Sequence, residues 1–232
     1  MVYANSTDDG SARIQFSYNS PTKILITEKW YFKNGDNLNY AKKDFDDTNW
    51  DTINTALGEE AMLKYGFKGK AWFRLHLMFD STVTSKSYVF QIYQKGSSEI
   101  YFNGKLVKAI GNYGVENSYD TGENDPLYIT PIKGEKNVIA IRYENLDYEH
   151  SYNSSGALMG GFYSSIYEPE SYFEYVFEQI TTASVYGMGL FSFSCQLALC
   201  IFCSSFFIVQ EDRICYFQCS VFCLAIIFYT SF

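Results

Sequence analysis

The stretch KAWFRLHLMF, residues 70–79, indicates the fold of this chain more clearly than any other segment. Apolar side chains recur there at every second position, which is the period of a β-strand with one buried face. The face predicted to line the core carries Phe73, Leu75, Leu77 and Phe79. The opposite face carries Trp72, Arg74, His76 and Met78. The segment therefore predicts a strand whose second face is turned away from the core.

Further short segments repeat this alternating pattern: 29–33, 87–94, 99–102, 127–130, 137–143 and 162–167. Residues that tolerate positive φ separate them, at 34–36, 103–104, 111–112 and 133–135. Asn103-Gly104 between two apolar runs is the strongest hairpin signal in the chain. Seven or more short strands with such turns predict an all-β fold, an antiparallel β-sandwich or jelly roll.

The pattern changes near Tyr186. The 22 residues from Met188 to Val209 contain no charge, and a helix of that length, at about 1.5 Å per residue, would cross a hydrocarbon core of about 30 Å. After four polar residues a second uncharged run occupies 214–232. We therefore expect transmembrane helices at 187–209 and 214–232, joined as a tight hairpin, with the second one truncated. The alternative is a buried helical hairpin in a soluble protein.

Between the last predicted strand and the first apolar run, the spacing is helical. Apolar residues share one face, and an acidic ridge lies beside it: Phe173, Val176, Phe177 and Ile180, then Glu170, Glu174 and Glu178. This pattern predicts a juxtamembrane helix at 169–186 that carries motion into the membrane. A helix that simply packs on the sandwich is the alternative.

Charge excludes some partners. Residues 1–186 hold 24 acidic and 17 basic side chains, a net charge of about −7, which argues against nucleic acid and against docking on anionic lipid. The amino-terminal segment 1–23 has neither the basic start nor the apolar stretch of a signal peptide. We therefore expect an export signal to be missing or removed.

Cysteine use divides the chain at the same place. All six cysteines lie in the predicted spans: Cys195, Cys200, Cys203, Cys215, Cys219 and Cys223. The remainder would stand without disulfides, which suits a bacterial periplasmic or surface domain. Close helix packing is favoured over metal or redox use for these small residues, because no His or carboxylate accompanies them.

Several ordered motifs together resemble a known family. They are WYFK (30–33) with Gly35-Asp36, DFDDTNW (44–50), GKAWFR (69–74), EIYFNGKLV (99–107), GNY (111–113) and GEKNVIAIRY (134–143). This order is similar to that of a galactose-binding-like jelly roll, the sugar-binding domain of family-two glycoside hydrolases. The resemblance covers about residues 24–168 and implies a β-sandwich ectodomain over that range.

The same module before an apolar hairpin resembles the membrane receptors of bacteria that carry seven transmembrane helices and varied intracellular signalling modules. That resemblance implies a multi-pass protein of the cell membrane with its amino-terminal domain outside the cytoplasm. It implies a carbohydrate or similar small polar ligand, contact with the lipid bilayer, a dimer, and a signalling domain downstream of this chain. The alternative is a membrane-anchored carbohydrate-binding or cell-surface interaction module without a signalling role.

Five residues are candidates for ligand contact. Trp72 and Arg74 share one strand face, where an aromatic plane beside a planar cation could hold a sugar ring or carboxylate. The alternative is that they cover the sheet, with the arginine paired to an acid. Asp46 and Asp47 could bind Ca²⁺ or a sugar hydroxyl, or could instead cap backbone N–H groups. Tyr113 opens one of two polar loops, 113–125 and 144–156, where binding residues are often found. The alternative is that these loops are simply solvated.

Enzyme chemistry finds little support. The chain has only two histidines, His76 and His150, and it lacks a GxSxG elbow, an HExxH motif and a phosphate-binding glycine loop. We therefore expect a non-enzyme without catalytic residues and without a cofactor. The sequence leaves open whether a metal ion binds, with Ca²⁺ at Asp46 and Asp47 as the one candidate.

Overall fold

The computed structural model describes residues 5–6, 12–14, 23–79, 87–115, 118–122, 126–148 and 160–209. Side chains are described from Lys23 onward, except for Cys195 and residues 198–209.

This part of the chain is mostly β. Its strands, in chain order, are β1 Asn5–Ser6, β2 Ala12–Ile14, β3 Ile24–Leu25, β4 Trp30–Asn34, β5 Asp51–Ile53, β6 Ala56–Leu57, β7 Lys70–Phe79, β8 Tyr88–Gln94, β9 Ser97–Phe102, β10 Lys105–Ile110, β11 Leu127–Ile129, β12 Lys136–Glu144 and β13 Gly160–Tyr167. Two helices are α1 Glu59–Tyr65 and α2 Pro169–Val209.

The strands form two sheets. The first has the order β1-β2-β7-β12-β9-β10, with β4 paired to β7 and β5 paired to β4. The second has the order β11-β8-β13-β3, with β6 paired to β13. All these pairs are antiparallel except β2 with β7. The prediction of an antiparallel β-sandwich is therefore confirmed at the level of fold class.

The core lies between the sheets. Phe73 on β7 meets Phe162 on β13 edge to face, with 5.0 Å between ring centroids, and Trp30 on β4 contacts the same ring at 5.2 Å. The inward residues of β7 are all buried, as the alternation predicts. Contacts of this kind add to the burial of apolar area, which is the main force that holds two sheets together.

The second face of β7 differs from the prediction. Trp72 and Arg74 are 0% exposed and His76 is buried as well. The segment 35–50, which includes a short 3₁₀ helix Leu38–Ala41, contributes the groups that contact this face. Both faces of β7 are thus buried, because a stretch of chain outside the strand covers the outer one.

The turn between β9 and β10 confirms the hairpin prediction. Asn103 has φ +48° and Gly104 has φ +83°. Positive φ at both central residues is the requirement of the tight hairpin turn that an Asn-Gly pair favours.

The sequence interpretation missed α1 altogether. Glu59 and Glu60 lie in its first turn and Lys64 lies in its last, which suits the helix dipole. Gly66 ends the helix in the left-handed conformation at φ +62°.

Helix α2 begins at the proline expected at a first helical position and continues without a break for 41 residues. The chain divides into two compact units, 1–173 and 174–232, so only the start of α2 belongs with the sandwich. The predicted helices at 169–186 and 187–209 are thus one helix. Over the described residues, no helix is sufficiently long and apolar for a membrane crossing. The second predicted span, 214–232, lies outside the described residues.

Candidate functional site

Asp47 is the centre of a buried ionic cluster on the outer face of the first sheet. Its carboxylate accepts a hydrogen bond of 2.6 Å from Arg74 Nε and lies 2.8 Å from His76 Nε2. Arg74 also donates to the carbonyl oxygens of Tyr40 and Lys42. One buried guanidinium therefore fixes the covering segment at three points.

This arrangement also sets the protonation of the carboxylate. Burial by itself raises the pKa of Asp47, but the hydrogen bonds from His76 and Arg74 outweigh burial and hold the pKa below its usual value. Asp47 therefore stays ionised at neutral pH and compensates the buried charge of Arg74.

Trp72 occupies the same covered face. Its ring packs against Tyr101 at 5.5 Å and against Tyr40 at 6.0 Å between centroids. Since Trp72 and Arg74 are 0% exposed, neither side chain presents a surface to a ligand. Both side chains are enclosed by the protein in this structure, and the contact of these two residues with a sugar stays a prediction.

Asp46 is exposed and serves a local turn. It accepts hydrogen bonds from the backbone N–H of Thr48 at 3.1 Å and from the Thr48 hydroxyl at 2.7 Å, and these bonds lower the pKa of Asp46. This is the capping role that the sequence left open. Because Asp47 is committed to Arg74 and His76, the two neighbouring carboxylates do not converge on a Ca²⁺ position. In the part of the chain that the structure describes, no group of three or more metal-binding side chains comes together.

Tyr113 lies at the end of the first sheet, in a second charged cluster. The Arg142 guanidinium carbon is 3.9 Å from the centroid of the Tyr113 ring, within the range of a cation–π contact. Arg142 also donates to both oxygens of Asp36, at 2.5 and 2.8 Å, and to Glu99 at 2.9 Å. Burial, with the nearby Asp36 carboxylate, raises the pKa of the Tyr113 phenol. Tyr113 is thus half-buried and engaged within the protein.

Further contacts hold the loop that begins at Tyr113. The Gly114 backbone N–H donates to Glu144 at 2.5 Å, and the other oxygen of Glu144 lies 2.9 Å from Lys70 Nζ. Tyr101 donates to Glu99 at 2.9 Å, and burial together with this carboxylate raises the pKa of Tyr101 to about 12. Charges at this end of the sheet are therefore paired with one another.

An apolar cavity of about 390 Å³ lies beside α1. Its lining consists of Glu59, Met62, Leu63, Gly66, Phe67, Lys68 and Tyr148. The apolar lining suits an apolar group better than a polyhydroxylated one. This cavity was not predicted from the sequence, because α1 itself was not predicted.

The outer face of the second sheet has a different character. Tyr93 on β8 and Tyr163 on β13 lie directly opposite each other in the strand register, and each is 44% exposed. On the edge strand β11, Tyr128 pairs with Val89 and is 52% exposed. Residues directly opposite in an antiparallel pair share a face, and so do alternate residues along a strand. We call Tyr93, Tyr128 and Tyr163, together with Gln91 between them on β8, the tyrosine face.

This face is neutral. The five strands that the structure describes in the second sheet contain no charged residue. Tyr167, on the same side of β13, is buried under the Tyr172 ring, with 5.3 Å between ring centroids. Its hydroxyl donates to the side-chain amide oxygen Oε1 of Gln91 at 3.1 Å. The start of α2 thus closes one end of the sheet and leaves the tyrosine face open.

Sequence reasoning missed the tyrosine face. Its signal was present, since tyrosines occupy outward positions in strands that carry no charge. The partnership of Tyr93 and Tyr163 depends on strand register, however, and the spacing within one segment does not reveal it.

No family model matches this chain, and no curated protein matches it. Several solved structures do. A glycosyl hydrolase family 2 member from Bacteroides cellulosilyticus is 18% identical, with 63% of this chain and 20% of that one covered and a TM-score of 0.44. A β-glucuronidase from Bacteroides uniformis is 20% identical, with 62% and 18% covered and a TM-score of 0.42. A β-glucuronidase from Lactobacillus rhamnosus is 12% identical, with 68% and 30% covered and a TM-score of 0.42. The chain spans less than a third of the length of each of these enzymes.

Proposed function

We propose that this chain is a noncatalytic carbohydrate-binding domain whose binding surface is the tyrosine face. The observation that carries the proposal is the exposed pair Tyr93 and Tyr163 in a sheet whose described strands hold no charge.

The chemistry of a sugar suits such a surface. A sugar ring presents apolar C–H groups on its faces and hydroxyl groups around its edge. A phenol ring is apolar on its face and carries a hydroxyl group at its tip. The face can therefore pack on the C–H groups of a sugar, and the hydroxyl can hydrogen-bond to the sugar hydroxyls. Gln91 adds an amide at the same level of the sheet. A few polar groups placed around aromatic surface are the usual composition of a small-molecule site.

The other candidate surfaces are less suitable. Trp72, Arg74 and Asp47 are buried beneath their covering segment, and Tyr113 is engaged by Arg142. The cavity beside α1 is lined mainly by apolar groups. The tyrosine face is therefore the surface with aromatic rings open to solvent and with the polarity that a neutral polyhydroxylated ligand needs.

The test is saccharide binding by the full chain, kept in a detergent whose headgroup is not a sugar. A neutral glycan identified on a glycan array is titrated by calorimetry into the wild type and into the double variant Tyr93→Ala, Tyr163→Ala. Two lost stacking contacts, at about 1 kcal/mol each, predict a loss of affinity of tenfold or more. Tyr186→Ala is the matched control, because Tyr186 is also exposed but lies on α2. Unchanged affinity in the double variant with an unchanged melting temperature would contradict the proposal.

We also propose that this domain belongs to a membrane-associated sensor, with the sandwich outside the cytoplasm and the signalling output downstream. Support comes from the uncharged stretch 188–209 and from the continuation of α2 to Val209. A membrane-anchored binding module without signalling is the alternative.

Flotation with phosphatidylcholine vesicles tests the membrane part of this proposal. The full chain should rise with the vesicles, and the variant Leu190→Lys, Leu197→Lys should rise much less, because each lysine opposes contact of α2 with the apolar part of the bilayer. Leu63→Lys is the control, since Leu63 is an exposed leucine of α1. A wild-type chain that stays with the vesicle-free fraction would contradict membrane association.

A further inference from the structure

We propose that the tyrosine face binds an extended neutral oligosaccharide along a line from β13 across β8 to the edge strand β11. This inference rests on the proposed carbohydrate-binding function and specifies its ligand class.

The first argument is distance. Tyr128 is opposite Val89, and Tyr93 lies four residues further along β8. With about 3.3 Å per residue along a strand and about 4.8 Å between strands, the Cα atoms of Tyr128 and Tyr93 are about 14 Å apart. One sugar ring cannot reach both positions, whereas a chain of linked rings can. The pair at Tyr93 and Tyr163 and the single ring at Tyr128 therefore form two contact points for one chain.

The second argument is the surface between these points. Gln91 faces outward on β8, between Val89 and Tyr93, and its side-chain amide oxygen accepts a hydrogen bond from the Tyr167 hydroxyl. This bond orients the Gln91 amide on the line between the two contact points. An amide in a fixed orientation can meet the hydroxyl groups of a central sugar at a low cost in side-chain entropy.

The third argument is where the surface ends. On β13, opposite Val89, the Tyr172 ring covers Tyr167, so a ligand cannot continue along the sheet past Val89 and Tyr167. On the other side, β11 is the last strand of its sheet path. A chain that passes Tyr128 therefore leaves the sheet at an edge, where its length is not restricted by neighbouring strands of the sheet.

Charge selects among saccharides. The described strands of this sheet offer no cation to a uronic acid, and the whole chain has a net charge of −8. An acidic oligosaccharide would approach a protein of like charge, and Lys23, whose Nζ lies 5.6 Å from the centroid of the Tyr167 ring beside the tyrosine face, would offset this repulsion only in part. Neutral chains are therefore the expected ligands.

The experiment measures affinity against ligand length. The full chain is titrated with neutral glucose oligomers of one to six units, in β-1,4 and α-1,4 linkage, with any neutral series identified on the array, and with galacturonic acid oligomers as the acidic comparison. Affinity for a bound neutral series should rise at least tenfold from one unit to about four and then level off. Galacturonic acid oligomers should bind at least tenfold more weakly at every length.

Variants locate the two contact points. Tyr128→Ala should remove the rise with length, whereas Tyr128→Phe should keep most of the rise. Tyr93→Ala with Tyr163→Ala should weaken binding at all lengths. Melting temperatures equal to that of the wild type establish that each variant is folded.

The outcomes separate the two proposals. If one unit binds as tightly as four, or if Tyr128→Ala matches the wild type at every length, the extended ligand is contradicted and carbohydrate binding stands. If galacturonic acid oligomers bind as tightly as neutral ones, the neutral ligand class is contradicted. If no neutral series binds to the wild type, both the extended ligand and the proposed function fail.

Discussion

The two sheets of this sandwich turn opposite kinds of surface away from their common core. On the first sheet the outer face holds Arg74 and His76, and the segment 35–50, which supplies Asp47, covers them. On the second sheet the outer face is uncharged and holds Tyr93 and Tyr163 in the open. Charges in a buried position must be paired, and here Asp47 pairs with Arg74 and His76. Chemically prominent residues can therefore serve the fold, while neutral tyrosines on the other sheet stay exposed.

The largest expected effect is on stability and falls on the first sheet. Asp47→Ala leaves the guanidinium of Arg74 buried without its carboxylate, and we expect a loss of about 3–5 kcal/mol in the free energy of unfolding. Urea denaturation followed by tryptophan fluorescence measures it. Asp46→Ala is the matched control, because Asp46 is the exposed neighbour whose hydrogen bonds, among the described residues, go to Thr48, and its midpoint should stay close to that of the wild type. Equal denaturation midpoints for the two variants would show that the buried carboxylate of Asp47 stabilises the protein no more than the exposed carboxylate of Asp46.

A smaller effect is expected at the end of the first sheet. Arg142→Gln removes the bonds to Asp36 and Glu99 and the contact with the Tyr113 ring. Because this cluster is partly open to solvent, we expect a loss of about 1–2 kcal/mol. The same denaturation experiment measures the change, and Lys33→Gln, at an exposed position of β4, should change stability by less than about 0.5 kcal/mol. An Arg142→Gln variant as stable as the wild type would show that the cluster does not hold the loop.

Acid should weaken the first sheet in particular. The pKa values of Asp36 and Asp47 lie below the ordinary 3.8 in the folded protein. Hydrogen bonds from Arg142 lower the pKa of Asp36. At Asp47, hydrogen bonds from His76 and Arg74 lower the pKa by more than burial raises it. The unfolded chain therefore binds more protons near pH 3.8, so stability falls as the pH decreases through and below that value. Denaturation midpoints between pH 6 and about pH 3 measure the slope, which should be shallower in Asp47→Ala. An identical slope in that variant would mean that Asp47 does not contribute to it.

The smallest expected effect on stability falls on the second sheet. Tyr93→Ser, Tyr128→Ser and Tyr163→Ser remove partly exposed rings, and each should change the free energy of unfolding by only about 0.5 kcal/mol. Thermal denaturation of the single variants measures this. Losses above about 2 kcal/mol would indicate that the tyrosines serve the fold, as Trp72 does on the other sheet.

The sequence was informative about strands and less so about surfaces. The alternation at 70–79 placed β7 correctly, and Asn103-Gly104 placed the hairpin, because both signals are local. The burial of Arg74 could not be predicted in the same way, since its cover and its partner Asp47 come from an earlier segment of the chain. Tyr93 and Tyr163 are 70 positions apart and become neighbours only through the pairing of β8 with β13.

Fluorine NMR shows directly which tyrosines a saccharide touches. The full chain, with its 21 tyrosines replaced by 3-fluorotyrosine, is titrated with a bound neutral tetrasaccharide and followed by fluorine NMR, with Tyr→Phe variants to assign the signals. We predict that the signals of Tyr93, Tyr128 and Tyr163 shift while those of Tyr101 and Tyr113 stay in place. Shifts at Tyr101 and Tyr113 with none on the tyrosine face would contradict the account.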